Sequence, residues 1–409
     1  MDPVEKLLKT VQTPILLMFV TNWVLGIGII EYPIGKQHRI FSFFYNAAVL
    51  FSFCFLCIYT YSNIDDFEFE FALDKKTMKS HFNCNMLIVF VCFFLGYRRS
   101  KALRKIFKHI VIVDHLIGKL GFSKDYKKLV LKQTRRYSIF LSLIIGICIF
   151  NSLTLISENL PLLQKGILWF VLNYSFFIVS VADASFSNIV SYATNDMVLL
   201  NKILRDCLTS TENFPQHKKI VRNYLNDCYG CRDDMESRMT KNELFIVQIT
   251  RKSYLELAKV CRIIDKAYGL HNLMSSVISI LYLTINIYHA HGLIVHFGSL
   301  SYVEFNRVFS RICIWIIFFG GKILVLCYRC SNITEQSILT GDILAELYDE
   351  PSVSKEVQDE IRDMEVKIIQ NPIKFSVNGF AQLDFTLLQA VTTIVVTYVM
   401  ILVQLGGSK

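Results

Sequence analysis

Seven separate runs of mainly apolar residues, each about twenty long, constrain this chain more than anything else in it. They lie at roughly 39–60, 82–98, 137–157, 166–190, 268–290, 308–328 and 385–405. An α-helix rises about 1.5 Å per residue, so each run can cross a hydrocarbon layer about 30 Å thick. Inside that layer every backbone N–H and C=O needs an internal partner, which only helices and closed barrels provide. Unbroken runs of this length are helical, and the expected fold class is all-α, a polytopic membrane protein. Composition agrees, with 53% hydrophobic and 19% charged residues and a mean hydropathy of +0.41. Soluble chains carry about 25% charged residues, and disordered or collagen-like chains lack such runs altogether. The net charge of +9 sits in the loops, so it points to membrane topology and not to nucleic acid.

Loop charge predicts the orientation. Residues 98–136 hold thirteen basic side chains against Asp114 and Asp125, and residues 191–267 hold thirteen more. Basic loops stay cytoplasmic. The opposite segments, 61–81, 158–165 and 291–307, carry only Lys75, Lys76, Lys79, Lys165 and Arg307. Seven spans in this register place the N-terminus inside and the C-terminus outside, the reverse of a G-protein-coupled receptor. An eighth apolar stretch, residues 14–30, is interrupted by Gly26 and Gly28 and followed by Pro33, so it suits a re-entrant helix as well as a crossing. The expected organisation is an N-terminal segment over 1–38 and six spans with cytoplasmic helical extensions over 39–330. A cytoplasmic segment over 331–384 and a last helix over 385–409 complete it.

Other motifs carry less. No Walker loop, Gly-rich dinucleotide turn, HExxH or GxSxG occurs, so no enzyme class and no cofactor is expected. Three CxxC pairs, Cys54/Cys57, Cys228/Cys231 and Cys327/Cys330, read as reduced thiols, and no metal site is expected. The sequons at Asn173 and Asn332 fall in a span and on the cytoplasmic side, where neither is glycosylated. Residues 342–365 hold nine acids against Lys355 and Arg362. They form either a solvated helix face or an acidic surface that pairs with the basic loops.

The last span is the most informative. At about 100° per residue, Thr386, Gln389, Thr393, Thr397 and Gln404 fall within about 80° of one another. A polar stripe is costly against lipid and should face protein or water. It serves either hydrogen bonding within one bundle or a water-filled pore lined by several copies of the helix. In the same helix, Thr397-Tyr398, five apolar residues and Gln404 resemble the Thr-Tyr, five apolar, Gln, Phe signature of insect gustatory receptors. Leu405 stands where the family has Phe. The run Gly379-Phe380-Ala381-Gln382-Leu383-Asp384 also resembles the approach to that helix.

The resemblance implies a plasma-membrane, tastant-gated channel passing monovalent and divalent cations. It would be a homotetramer, or a heteromer with related subunits, embedded in the bilayer. Its ligand would be a bitter compound or a sugar. Four last helices would line the pore at Thr393, Thr397, Ile401, Gln404 and Leu405, with Gln404 and Leu405 at its narrowest part. The ligand would enter the outer half of the first six spans. There the sequence offers Tyr282, Asn286 and His289 on one face of the fifth span, and Trp169, Asn173 and Phe177 on the fourth. Arg311 and Trp315 on the sixth and Asn151 and Thr154 on the third complete the candidate pocket. Asp183 and Lys322 are charges within spans, and they are expected to pair. The competing readings are a metabotropic seven-span receptor, which needs the opposite orientation, and an odorant receptor channel of the same superfamily.

Overall fold

The computed structural model describes residues 16–30, 38–64, 75–122, 126–155, 160–208, 235–295, 301–349 and 353–406. Cys228 and Cys231 lie outside them. The described residues form α1 (Leu16–Val24), α2 (Arg39–Ser62), α3 (Lys75–Lys119), α4 (Tyr126–Leu155) and α5 (Leu162–Leu208). They continue through α6 (Met235–Val295), α7 (Tyr302–Tyr348), α8 (Lys355–Gln370) and α9 (Phe385–Gly406). Seven of these, α2 to α7 and α9, are long and apolar enough to cross a membrane, and they coincide with the seven apolar runs. No strand occurs among the described residues.

Four helices are much longer than a crossing needs: α3 has 45 residues, α5 47, α6 61 and α7 47. The extra turns come from the basic and acidic segments between the apolar runs. These turns are amphipathic, and their apolar sides meet in one core. Ile106, Phe107 and Ile110 of α3 pack there with Tyr192 and Met197 of α5 and Tyr254, Leu257 and Ile264 of α6. Ile333 and Leu344 of α7 and Val357, Ile361 and Met364 of α8 close it. The acidic segment therefore does more than face solvent: on α8, Glu360 pairs with Arg251 of α6 at 2.9 Å, and Asp363 approaches the same guanidinium at 3.6 Å.

Within the described residues the stretch over 16–30 begins as the helix Leu16–Val24, which rises about 14 Å. It ends at Val24, and the turn that follows passes through Gly26 at φ 67°, which glycine adopts without the steric cost of a Cβ. The chain then runs on unwound, with Ile27 and Ile29 buried. Its backbone is held by side chains of two spans: Asn46 Nδ2 donates to the Gly28 carbonyl at 2.9 Å, and Ser100 Oγ accepts from the Ile29 N–H at 3.0 Å. Gly96 makes this approach possible, since a Cβ there would lie 2.8 Å from the Ile27 carbonyl oxygen.

Between α8 and α9 the chain turns tightly through Asn378 and Gly379, at φ 53° and 83°. Asp265 of α6 accepts from the Ser376 N–H at 2.7 Å and ties this turn down. The last helix thus starts from a fixed point on the fifth span's helix.

Candidate functional site

Three spans bring their polar residues to one place. On α3, His81 and Asn85 stand one turn apart on the same face, and Asn85 Nδ2 donates to His81 Nδ1 at 3.2 Å. Since an amide nitrogen only donates, His81 Nδ1 must accept, and the neutral ring carries its proton on Nε2. That Nε2 lies 3.1 Å from Tyr282 Oη of α6. Ring N–H to phenol oxygen leaves the Tyr282 hydroxyl proton free to donate elsewhere. Ser175 of α5 donates to Asn85 Oδ1 at 2.8 Å, which fixes the amide's direction.

These groups border a cavity of about 190 Å³. Its apolar wall is an aromatic cluster in which Phe319 stacks on Tyr282 at 4.7 Å and on Trp315 at 5.5 Å, while Phe176 meets Trp315 edge-on at 5.0 Å. Trp315 Nε1 donates to Asn151 Oδ1 at 3.3 Å, linking the sixth span's helix to the third's. Aromatic walls with a few oriented polar groups are the usual make-up of a small-molecule site.

Of the ten expected ligand-binding residues, Asn151, Asn173, Tyr282 and Trp315 line this cavity. The other six lie outside its lining. Thr154 donates to its own helix at Phe150 O and Asn151 O. Phe177 packs between two apolar cores, and Asn286 donates to the Tyr282 carbonyl. Trp169 is 38% exposed, His289 is exposed, and Arg311 is half-buried beyond the cavity's rim. The sequence reading missed His81 and Asn85 because it assigned nothing to the second span, and Ser175 and Phe319 because it took other positions on the fourth and sixth. The signal was there: a His and an Asn four apart at the mouth of an apolar run.

At the cavity's edge stands Lys322, and behind it lies a buried polar knot. Lys322 Nζ pairs with Asp183 Oδ2 at 2.7 Å, as the two intramembrane charges led us to expect. His271 Nε2 and Ser275 Oγ, both from α6, also reach the Asp183 carboxylate, each at 2.9 Å. Three helices are thereby pinned at one carboxylate, which the sequence did not disclose.

The last helix is different. Its buried residues are Val391 and Val395, one turn apart, and they pack against Phe318, Phe319, Ile323 and Cys327 of α7. The stripe of Thr386, Gln389, Thr393, Thr397 and Gln404 is exposed along its length. Thr393 and Thr397 satisfy their hydroxyls on their own helix, at Gln389 O and Thr393 O. Leu405 and Ile401 are also exposed, at 64% and 43%.

Comparison with known proteins meets this architecture along its whole length. The family model for the 7tm chemosensory receptors matches residues 15–406. Putative gustatory receptor 28a of Drosophila melanogaster is 21% identical over 334 residues, covering 76% of this chain and 71% of that one. Gustatory receptor 68a of the same species is 31% identical over 108 residues, 26% of this chain, and the match spans only 27% of that receptor's length. Among solved structures, the insect olfactory receptor OR5 from Machilis hrabei in complex with eugenol superimposes with a TM-score of 0.63. The alignment covers 99% of this chain and 100% of that one at 13% identity, so it speaks to the fold alone. Seven helices long and apolar enough to cross, with the family match over residues 15–406, describe a multi-pass protein of the plasma membrane. The chain belongs to the 7tm chemosensory receptor family.

Proposed function

We propose that this chain is a subunit of a gustatory-type cation channel that opens when a tastant binds between its spans. Its N-terminus lies inside the cell and its C-terminus outside, as the basic loops require. Four copies place α9 around one pore, with Thr393 and Thr397 along its wall and Gln404, Leu405 and Ile401 near its outer narrowing. The observation that carries the reading is α9 itself. A polar stripe runs the length of a membrane span, and a single chain leaves it uncovered. Water in a pore between copies satisfies that stripe; lipid does not.

The ligand site is the cavity of about 190 Å³ bordered by His81, Asn85, Tyr282 and Trp315. Ligand pockets commonly hold about 300–1,000 Å³, so this one selects a compact molecule. Its free Tyr282 hydroxyl and Asn amides suit a neutral ring compound bearing hydroxyl groups, whether a sugar or a small bitter compound. A solved receptor of the same fold, OR5 from Machilis hrabei, is in complex with a small molecule, eugenol. Phe319 and Trp315 wall this cavity, and Phe319 also touches the cluster that seats Val391 and Val395. Ligand contact therefore has a short packed route to the pore helix.

The test is to express the full chain alone with tags at both ends and record currents against a panel of sugars and bitter compounds. Ligand-evoked cation current, an outside C-terminal tag and an inside N-terminal tag are expected. An N-terminal tag reachable on intact cells would overturn the channel reading in favour of a metabotropic receptor.

A further inference from the structure

A second and larger cavity opens sideways between α4, α5 and α7, with a volume of about 890 Å³. Its walls are mostly apolar, with Leu143 and Ile147 on one side and Ile317 and Val325 on the other. Gly146 and Gly321 also line it, and a Cβ built on either would meet open space. Along α4 it runs from Arg136 to Phe150, about 21 Å at the helical rise. The apolar part of that length, from Phe140 to Phe150 and about 15 Å, suits a single fatty acyl chain, since a hydrocarbon core of about 30 Å is two such chains thick.

One end of this groove is cationic. Arg136 and Arg329 both line it, and each adjoins the inner end of its apolar run, at 137–157 and 308–328. Among the described residues neither pairs with a carboxylate. Among the described residues the Arg329 guanidinium hydrogen-bonds the Ser191 hydroxyl at 3.4 Å and lies over the Tyr328 ring at 6.0 Å, and its Nε is buried without a hydrogen-bond partner. Two arginines at headgroup level above an apolar slot are complementary to a phosphodiester carried on acyl chains.

We propose that this groove binds one anionic phospholipid, with its headgroup on Arg136 and Arg329 and one acyl chain against Gly146 and Gly321. The chain would cover the Asp183–Lys322 pair, which forms part of the groove wall, and keep it from bulk water. Because Lys322 borders both cavities, lipid and tastant would share one residue. That the arginine end faces the cytoplasm, where anionic lipid concentrates, rests on the orientation proposed above. The headgroup's charge and place rest on the groove alone.

Native mass spectrometry of the full-length protein, incubated with phosphatidylserine or phosphatidylcholine, tests this. The expected result is retained phosphatidylserine in preference to phosphatidylcholine by on the order of tenfold. Arg136→Gln with Arg329→Gln should bring the two lipids to parity. Gly146→Leu with Gly321→Leu, which fills the slot and leaves both arginines, should remove retention of either. Equal retention by the unaltered protein, or a preference that survives the Arg pair's loss, would overturn the proposal. So would cross-linking of Leu143→Cys between copies, which would show a second subunit filling the groove. Normal tastant currents beside absent lipid preference would sink the lipid site and leave the channel reading standing.

Discussion

The fourth and last spans make opposite use of polar residues. In the apolar window of α5, 67% of residues are buried; in that of α9, 11% are. Both helices carry hydroxyls, amides or charges at intervals along a membrane span. On α5 most of these groups are answered within the chain: Asn173 by Ser152, Ser175 by Asn85, Asp183 by Lys322, His271 and Ser275, with the buried Ser180 hydroxyl an exception. On α9 the stripe threonines Thr393 and Thr397 are answered by their own helix, and Thr386 by Asp384 just ahead of it. The lesson is that a polar group in a span shows what it needs, but not whether its partner is the same chain. One helix makes most of its polar contacts on folding, while the other still presents its stripe to what lies outside the chain.

That comparison predicts where damage falls. The largest effect should come from Asp183→Ala, which strands the Lys322 ammonium beside a buried His271. Removing one partner of a buried ion pair costs roughly 3–5 kcal/mol. Surface expression and detergent-extracted thermal stability should both collapse. The double variant Asp183→Leu with Lys322→Leu should recover part of the loss, since it removes both charges but leaves His271 and Ser275 without their acceptor. If Asp183→Ala alone kept full stability, α5 would not be organised around that carboxylate.

A smaller effect is expected at the cavity. Tyr282→Phe removes a hydroxyl and keeps the ring that stacks on Phe319. A hydrogen bond lost in a dry site costs about 1–3 kcal/mol, which moves a dose–response curve about tenfold or more. Expression should hold, because the packing is unchanged. His81 loses its phenol partner in this variant, so His81→Asn should shift the curve in the same direction. Curves that coincide with those of the unaltered channel would move the ligand away from α3 and α6.

The spans were legible because their signal is one-dimensional. A run of twenty apolar residues needs no partner to be recognised, and all seven appear as helices. The Asp183–Lys322 pair was legible for a related reason: two isolated charges in apolar runs have few ways to avoid an unpaired burial. His271 was not, because a lone histidine inside a helix is equally at home in a core or at a surface. The cavity was half legible. Tyr282 and Trp315 stood on faces that could be drawn from periodicity, yet the choice between Asn151, which lines it, and Thr154, which does not, depends on which side of α4 meets α7. Helix rotation is set by packing between distant segments, and a single sequence does not print it.

The smallest effect on stability, and the sharpest test of the contrast, belongs to Thr393 and Thr397. In each the hydroxyl donates to the carbonyl four residues back, at 3.1 and 2.8 Å. That carbonyl already serves the helix ladder, so the side-chain bond adds little to the fold of one subunit. Valine has the same shape without the hydroxyl. Thr393→Val and Thr397→Val should therefore leave thermal stability and surface expression within about 0.5 kcal/mol, the range of surface changes. On α5 the matching loss, Ser175→Ala, orphans one acceptor of Asn85 inside the bundle and should cost about 1 kcal/mol or more. In the channel the order reverses. If four copies of α9 line the pore as proposed, taking a ring of four hydroxyls from a narrow wetted wall makes it apolar, and apolar constrictions exclude water. Single-channel conductance at saturating tastant should fall in Thr397→Val, while Ser175→Ala changes tastant sensitivity and leaves conductance alone. A stable Thr397→Val channel with unaltered conductance would place the stripe against protein, and α9 would then be an ordinary bundle helix like α5.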